Sequence, residues 1–210
     1  MRGSVSIALL LGRPRVGKTE LLRQSFDRLF NEGGEAVPFF YIFRRSCLNS
    51  QKFAGDYFSQ FLAQFIAFRR NDPRLIQAAD EPLAVISRAA VPEDYLWVRS
   101  VVDSFLRASQ SGDPASLVRF ALSVPAVVAA HSGLTPMVMI DNWQLIAETE
   151  LHTEFTRAME IVGTREQHDP KYLFTGLRRS VTELIPPNHE MFNRTEMVSL
   201  EPISNESFGK

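Results

Sequence analysis

A glycine-containing segment near the start of the chain carries the residues best suited to phosphate chemistry. Residues 12–19 read GRPRVGKT and match the phosphate-binding pattern G-x-x-x-x-G-K-[ST] at every fixed position. In such a loop Gly12 and Gly17 let the backbone approach phosphate oxygens, and Lys18 reaches the β- and γ-phosphates as a positive charge. The Thr19 hydroxyl is expected to ligate Mg²⁺. The segment therefore predicts a site for a nucleotide phosphate and its magnesium ion.

The loop is expected to hold the nucleotide largely through its backbone. A strand, a loop and a helix N-terminus form an anion site, because N–H groups point inward and the helix dipole favours negative charge. Pro14 lacks an N–H and Arg15 is bulky, so this loop is less glycine-rich than many. The predicted nucleotide-binding residues are Gly12, Arg13, Pro14, Arg15, Val16, Gly17, Lys18, Thr19 and Glu20.

An aspartate at the end of an apolar run supplies the second expected metal ligand. Residues 136–140 read PMVMI and lead into Asp141, which fits the Walker B role of binding Mg²⁺ directly or through water. Together with Thr19, Asp141 forms the predicted metal site. The alternative is that Asp141 merely caps the following turn or helix.

The residue after this aspartate departs from the usual pattern. Many ATPases carry an acidic residue there as the base that polarises water, whereas Asn142 can orient water but cannot accept its proton at neutral pH. Either hydrolysis is slow or another group helps. Gln144, Glu148 and Glu150 are close in sequence, although each also fits a helix start or the surface.

Polar residues after the next predicted strand complete the candidate catalytic set. Thr175 ends that strand, where it could touch the γ-phosphate or the attacking water. Arg178 follows and would sense the γ-phosphate in cis or act as an arginine finger on a neighbour; a surface arginine is the open alternative. The predicted catalytic residues are Lys18, Asp141, Asn142, Thr175 and Arg178.

The elements that must position these residues alternate between strands and helices. Apolar runs predict strands at residues 7–11, 39–43, 136–141, 172–176 and 195–200. Helical periodicity dominates between the second strand and the Walker B strand, with helices near 74–90, 93–109 and 114–130 and a kink or break at Pro125. Strands that alternate with helices favour an α/β fold with a parallel sheet covered on both faces.

Aromatic residues recur at helical spacing within the helical block. Phe53, Tyr57, Phe61, Phe65 and Phe68 are three or four residues apart and form one apolar stripe. Such a stripe could line a ligand groove, but core packing is the better interpretation.

Composition places the chain among ordinary globular proteins. Its 210 residues are 45% hydrophobic and 22% charged, with a net charge of −1, so no global basic field favours nucleic acid. Cys47 is the only cysteine, which excludes an intrachain disulfide and fits a cytoplasmic location. No stretch approaches 18 uncharged apolar residues, so we expect no membrane span.

Four segments together resemble a known group. GRPRVGKTELL is similar to the phosphate loop of archaeal-type P-loop ATPases, a branch of the ASCE division related to the STAND and AAA+ families. VMIDNWQLI resembles the group's Walker B segment, KYLFTGLRRS its strand ending in T-G, and VSLEPISNESFGK the segment that leads into a lid domain. The segments occur in the family's order, and only the phosphate loop is specific by itself.

The resemblance implies the finer architecture. It implies a P-loop NTPase core with three αβα layers and a mostly parallel sheet of about five strands. The Asp141 strand would lie next to the phosphate-loop strand, with the Thr175 strand beyond it. We expect one ATPase domain over residues 1–210 with a helical insertion at 48–132, and a lid that is absent or truncated because the chain stops where a lid should begin.

Several functions remain open. The first is slow Mg²⁺-dependent ATP hydrolysis that acts as a switch for a protein partner or for self-association. The second is a nucleotide-gated interaction module that binds ATP or ADP with little or no turnover. A DNA-associated ATPase is a third reading, which the net charge does not support, and a small-molecule kinase is a fourth.

Overall fold

The computed structural model describes residues 6–47, 49–149, 151–161, 169–177 and 195–201. Its strands are β1 (Ile7–Gly12), β2 (Ala36–Ile42), β3 (Thr135–Asp141), β4 (Lys171–Gly176) and β5 (Thr195–Leu200). Its α-helices are α1 (Lys18–Glu32), α2 (Ser50–Arg70), α3 (Leu83–Arg88), α4 (Pro92–Gln110), α5 (Pro114–Ser132) and α6 (Leu151–Ile161). Short 3₁₀ helices cover Arg45–Cys47, Pro73–Asp80 and Trp143–Glu148.

The strands form one five-stranded sheet in which every pairing is parallel, in the order β2-β3-β4-β1-β5. The predicted α/β class with a parallel sheet is confirmed. Alternating side chains of the sheet pack against helices on both faces, which is compatible with a three-layer αβα arrangement. Leu22, Phe26 and Phe30 of α1 pack with Met139 on one face, and α2, α5 and α6 cover the other.

The predicted neighbour of β1 is wrong. We expected the Asp141 strand beside β1, but β4 pairs with both: Leu9 lies opposite Phe174, and Phe174 lies opposite Ile140. Phe174 and Thr175 of β4 point to opposite faces and are both fully buried, as suits a strand that lies between β3 and β1 with helices on both faces of the sheet.

Asp141 nevertheless reaches the start of α1 across the intervening strand. In a parallel sheet all strands end at the same edge, so the loops after β1, β3 and β4 converge there. The crossover from β1 to β2 carries α1 over the sheet, where it packs against β2 and β3 as well as β1. Thr19 in the first turn of α1 is therefore brought to the end of β3.

Helices fill the chain between β2 and β3. In α2 the predicted aromatic stripe is core, since Phe53, Tyr57, Phe61 and Phe65 are at most 1% exposed. The predicted helix at 74–90 is instead a 3₁₀ helix followed by α3, because Pro82 interrupts the hydrogen-bond ladder between them. The expected kink or break at Pro125 does not end α5, which continues to Ser132.

The outer edge of β2 is closed by a side chain of α2. Phe40 N–H donates to Gln64 Oε1 at 2.8 Å, and Gln64 Nε2 donates to the Phe40 carbonyl at 3.0 Å. Alternate residues of a parallel strand direct their backbone groups to the same side, so Pro38 turns its missing N–H to this edge as well. The edge therefore offers few free backbone groups to another strand.

Helix α5 is long and has an apolar composition. Within the described ranges it is the one helix long and apolar enough to cross a membrane, a test that the core helix of a soluble protein also passes. Leu117, Val118 and Leu122 of α5 are buried in the main core cluster. Arg119 of α5 pairs with Glu154 of α6 at 3.1 Å.

Candidate functional site

The loop between β1 and α1 has a backbone that suits the approach of an anion. Gly17 and Arg15 both have positive φ angles, 93° and 66°. A non-glycine residue in this region is strained, and such strain concentrates at binding sites. Gly12 is required for a different reason: an added Cβ would lie 2.9 Å from the Leu200 carbonyl oxygen and 2.9 Å from Val16 Cγ2.

The N-terminus of α1 leaves backbone donors available to a ligand. Its N-cap, Gly17, makes no side-chain capping bond, whereas Asn49 and Asp113 cap α2 and α5. The first N–H groups of an α-helix have no partner within the helix, so an uncapped start can bind an anion. Arg13, Pro14 and Arg15 are exposed beside it.

Lys18 folds back over the loop that precedes it. Its Nζ donates to the Gly12 carbonyl at 2.9 Å and to the Arg13 carbonyl at 2.7 Å. Burial lowers the pKa of Lys18, and the nearby negative charge of Asp141 partly opposes that effect. An anionic group placed beside the ammonium would favour its charged form.

Two hydroxyl groups meet the carboxylate of Asp141. Thr19 Oγ1 donates to Asp141 Oδ2 at 2.5 Å, although the two residues are 122 positions apart in sequence. Thr175 Oγ1 donates to Asp141 Oδ1 from the other side. Asp141 is 3% exposed and Thr175 is fully buried. The structure thus brings together three of the residues that the sequence singled out.

The alternative role of Asp141 is also present. The Asn142 N–H donates to Asp141 Oδ1 at 2.9 Å, so the carboxylate stabilises the turn that follows β3. Capping and metal binding are compatible here, because Oδ2 accepts only the Thr19 hydroxyl among the described residues.

Thr19 and Asp141 present the oxygen donors that Mg²⁺ prefers. This ion is usually held by one or two protein oxygens, and its remaining ligands are phosphate oxygens and water. The described part of the chain contains no group of three or more His, Cys, Asp and Glu side chains placed to hold a metal. A hydroxyl and one carboxylate at the uncapped start of α1 therefore fit Mg²⁺ that arrives with a phosphate.

Asn142 has a structural reason to be an asparagine. Its φ and ψ angles are 60° and 35°, the left-handed region that asparagine tolerates better than most residues. It is the N-cap of the 3₁₀ helix Trp143–Glu148, and its Nδ2 lies 3.5 Å from the Phe43 carbonyl. The side-chain amide is therefore directed towards the end of β2.

Other predicted residues are not brought to this cluster. The side chain of Glu20 lies along α1, 3.0 Å from Gln24 Nε2 and 3.5 Å from Arg23 Nη1. The buried Oε1 of Gln144 has no hydrogen-bond partner among the described residues. The prediction for Arg178 falls outside the described residues, as do Glu150 and the side chain of Glu148.

Sequence reasoning missed Trp143. The indole is 4% exposed and stacks on Phe174, with ring centroids 4.7 Å apart and an interplanar angle of 26°. Both aromatic residues are adjacent in sequence to site residues, Asn142 and Thr175. That adjacency places both rings near the site, but the sequence does not indicate that they stack.

Comparisons with known proteins add no family assignment: no family model matches the chain, and no curated protein matches it.

Proposed function

We propose that this chain binds ATP with Mg²⁺ at the loop of residues 12–19 and hydrolyses it slowly, as a nucleotide-dependent switch for a partner or for self-association. The observation that carries the proposal is the 2.5 Å hydrogen bond between Thr19 and Asp141. It joins the two sequence motifs that each predicted a magnesium ligand. Adenine as the base comes from the family resemblance alone.

Different groups at the site would bind different parts of the ligand. The uncapped start of α1 offers backbone N–H groups to phosphate oxygens, and Lys18 has an ammonium beside them. Thr19 and Asp141 would hold Mg²⁺, which supplies Lewis-acid charge stabilisation when it is bound. Thr175 holds Asp141 from the opposite side and so keeps its carboxylate oriented.

We expect slow ATP hydrolysis because of the groups that would surround the attacking water. Asn142 cannot accept a proton at neutral pH, and Asp141 already accepts three hydrogen bonds. The site could still speed hydrolysis by positioning the phosphates and by stabilising charge. Neither Asn142 nor Asp141 provides general-base catalysis, which typically raises a reaction rate about 10²–10⁴-fold.

A second candidate is a nucleotide-gated module with no turnover. The direction of the Asn142 amide, towards the Phe43 carbonyl, favours it. In this case the ATP-bound and ADP-bound chains would differ in conformation, and the only effect of the nucleotide would be a change in the affinity for a partner.

Calorimetric titration of the purified chain with ATP, with and without Mg²⁺, tests the proposal. We expect Lys18→Ala to weaken ATP binding at least about 10-fold, because it removes a charge-assisted contact to the phosphates. Lys52→Ala, at an exposed lysine of α2, is the matched control and should bind normally.

Phosphate release in the same samples separates the two candidates. Turnover that Lys18→Ala abolishes supports the switch ATPase, and tight binding without turnover supports the gated module. Equal ATP binding by the unmodified chain and Lys18→Ala would refute both.

A further inference from the structure

The Trp143 side chain lies behind the proposed metal site, on the opposite face of the sheet. Trp143 and Phe174 belong to the core cluster that includes α2, α5 and α6, whereas Met139, two residues before Asp141, packs with α1. Successive side chains of a strand alternate between faces, so Asp141 and Thr175 turn towards α1. The indole therefore contacts neither Thr19 nor a ligand bound beside it.

The indole nevertheless joins the backbones that carry both hydrogen-bonded partners. The left-handed turn at Asn142 folds the chain back directly after Asp141, and this sets Trp143 on Phe174. Phe174 in turn precedes Thr175, whose hydroxyl donates to Asp141. The stack of Trp143 on Phe174 thus adds a side-chain contact to the ends of β3 and β4, which are already paired at Ile140 and Phe174.

Tryptophan at this position has a polar atom that the aromatic stack does not need. The indole Nε1 is buried and has no hydrogen-bond acceptor among the described residues, and the neighbouring Gln144 Oε1 is buried without a donor. An unpaired buried donor costs free energy, and a phenylalanine would stack without that cost. Each such group in a native structure calls for an explanation, which can be strain, a role at a site, or a bound water or ion.

We propose that Trp143 is a positioning residue for the Asp141–Thr175 pair and sets the magnesium dependence of nucleotide binding. The proposal rests on the proposed function. Residues that orient a metal ligand from behind typically change metal affinity about 10–100-fold when they are substituted. The 3₁₀ helix that begins at Trp143 contacts both β4 and α6, so this helix links the end of β3 to α6.

The test compares Trp143→Leu, which removes the stack, with Trp143→Phe, which keeps a ring on Phe174. In titrations with ATP we expect Trp143→Leu to need about 10-fold more Mg²⁺ for half-maximal tightening of binding. Binding in EDTA should remain within about twofold of the unmodified chain, since Lys18 and the loop are untouched. Trp143→Phe should lie within about threefold of the unmodified chain in both titrations.

Trp97→Leu is the matched control at the only other tryptophan. Trp97 donates to Asp94 at 3.2 Å and stacks on His131 in the helical block, so its loss should lower stability without moving the magnesium dependence. If Trp143→Leu loses ATP affinity equally in Mg²⁺ and in EDTA, or keeps its magnesium dependence unchanged, this inference is overturned but the proposed function is not. Absence of ATP binding by the unmodified chain would overturn the proposed function and this inference with it.

A second measurement does not depend on the folding of Trp143→Leu. In Trp97→Phe the only remaining tryptophan is Trp143, and its emission should change more with ATP and Mg²⁺ than with ATP in EDTA. Identical emission in the two titrations, with binding verified by calorimetry, would overturn the inference.

Discussion

At the scale of single residues, Asn142 is the main reason to expect that ATP hydrolysis is slow. Its left-handed backbone and its position directly after Asp141 give it two roles, a turn residue and a neighbour of the expected reaction centre. Replacing Asn142 by glutamate changes both roles at once. A long side chain in this backbone region costs about 1–2 kcal/mol whatever its charge.

We predict that Asn142→Glu raises phosphate release about 10²-fold, because it supplies a general base. Asn142→Gln is the matched control, since it has the same length and backbone cost without a carboxylate. Steady-state phosphate release and urea unfolding of both variants separate catalysis from stability. Equal rates in the two variants would mean that another base, or an arginine from a partner, limits turnover.

At the scale of elements, the covered edge of β2 depends on one amide. Gln64 is 6% exposed and satisfies both the N–H and the C=O of Phe40. A carboxylate in its place could accept the N–H but would face the Phe40 carbonyl without a proton. Burial would also raise the pKa of the introduced carboxyl, because its charged form is desolvated.

We predict that Gln64→Glu lowers the free energy of unfolding by about 3 kcal/mol at pH 7. The loss should shrink as the pH falls through the raised pKa of the introduced carboxyl, because the protonated group regains a donor. Urea unfolding at pH 7 and pH 5 measures both. Gln51→Glu, in the exposed first turn of α2, should be nearly neutral; a pH-independent loss in Gln64→Glu would contradict the explanation.

The strands and most helices could be predicted because their signals are local. The apolar runs before Gly12 and Asp141 and the aromatic stripe of α2 each occur within one element. Strand order could not be predicted, because β1, β3 and β4 are all apolar strands buried on both faces, and their sequences do not indicate which one lies between the other two. The Gln64 contact with Phe40 and the stack of Trp143 on Phe174 are tertiary, and no spacing in the sequence indicates them.

At the scale of the whole molecule, the proposed site joins parts of the chain that are far apart in sequence. Lys18 and Thr19 belong to α1, Asp141 ends β3 and Thr175 lies in β4. A ligand held by these residues binds only the folded protein. It should therefore stabilise the whole sheet and not one element.

We predict that ATP with Mg²⁺, at about 100 times its dissociation constant, stabilises the fold by about 2.7 kcal/mol. For a chain of this size this corresponds to a rise in Tm of about 5–10 °C. Thermal unfolding followed by circular dichroism checks it, with ATP in EDTA as the control. A smaller rise in EDTA is expected, and no rise under either condition would contradict a nucleotide site at the junction of these strands.

The position of β1 has a consequence for how the protein is made. Its pairing partners in the described sheet are β4 and β5, which follow it by most of the length of the chain. At about 5–20 residues per second, a ribosome needs roughly 10–30 s to deliver the first of them. Throughout that time this apolar segment lacks both of the strands with which it pairs, so we expect chaperones that shield nascent chains to bind it.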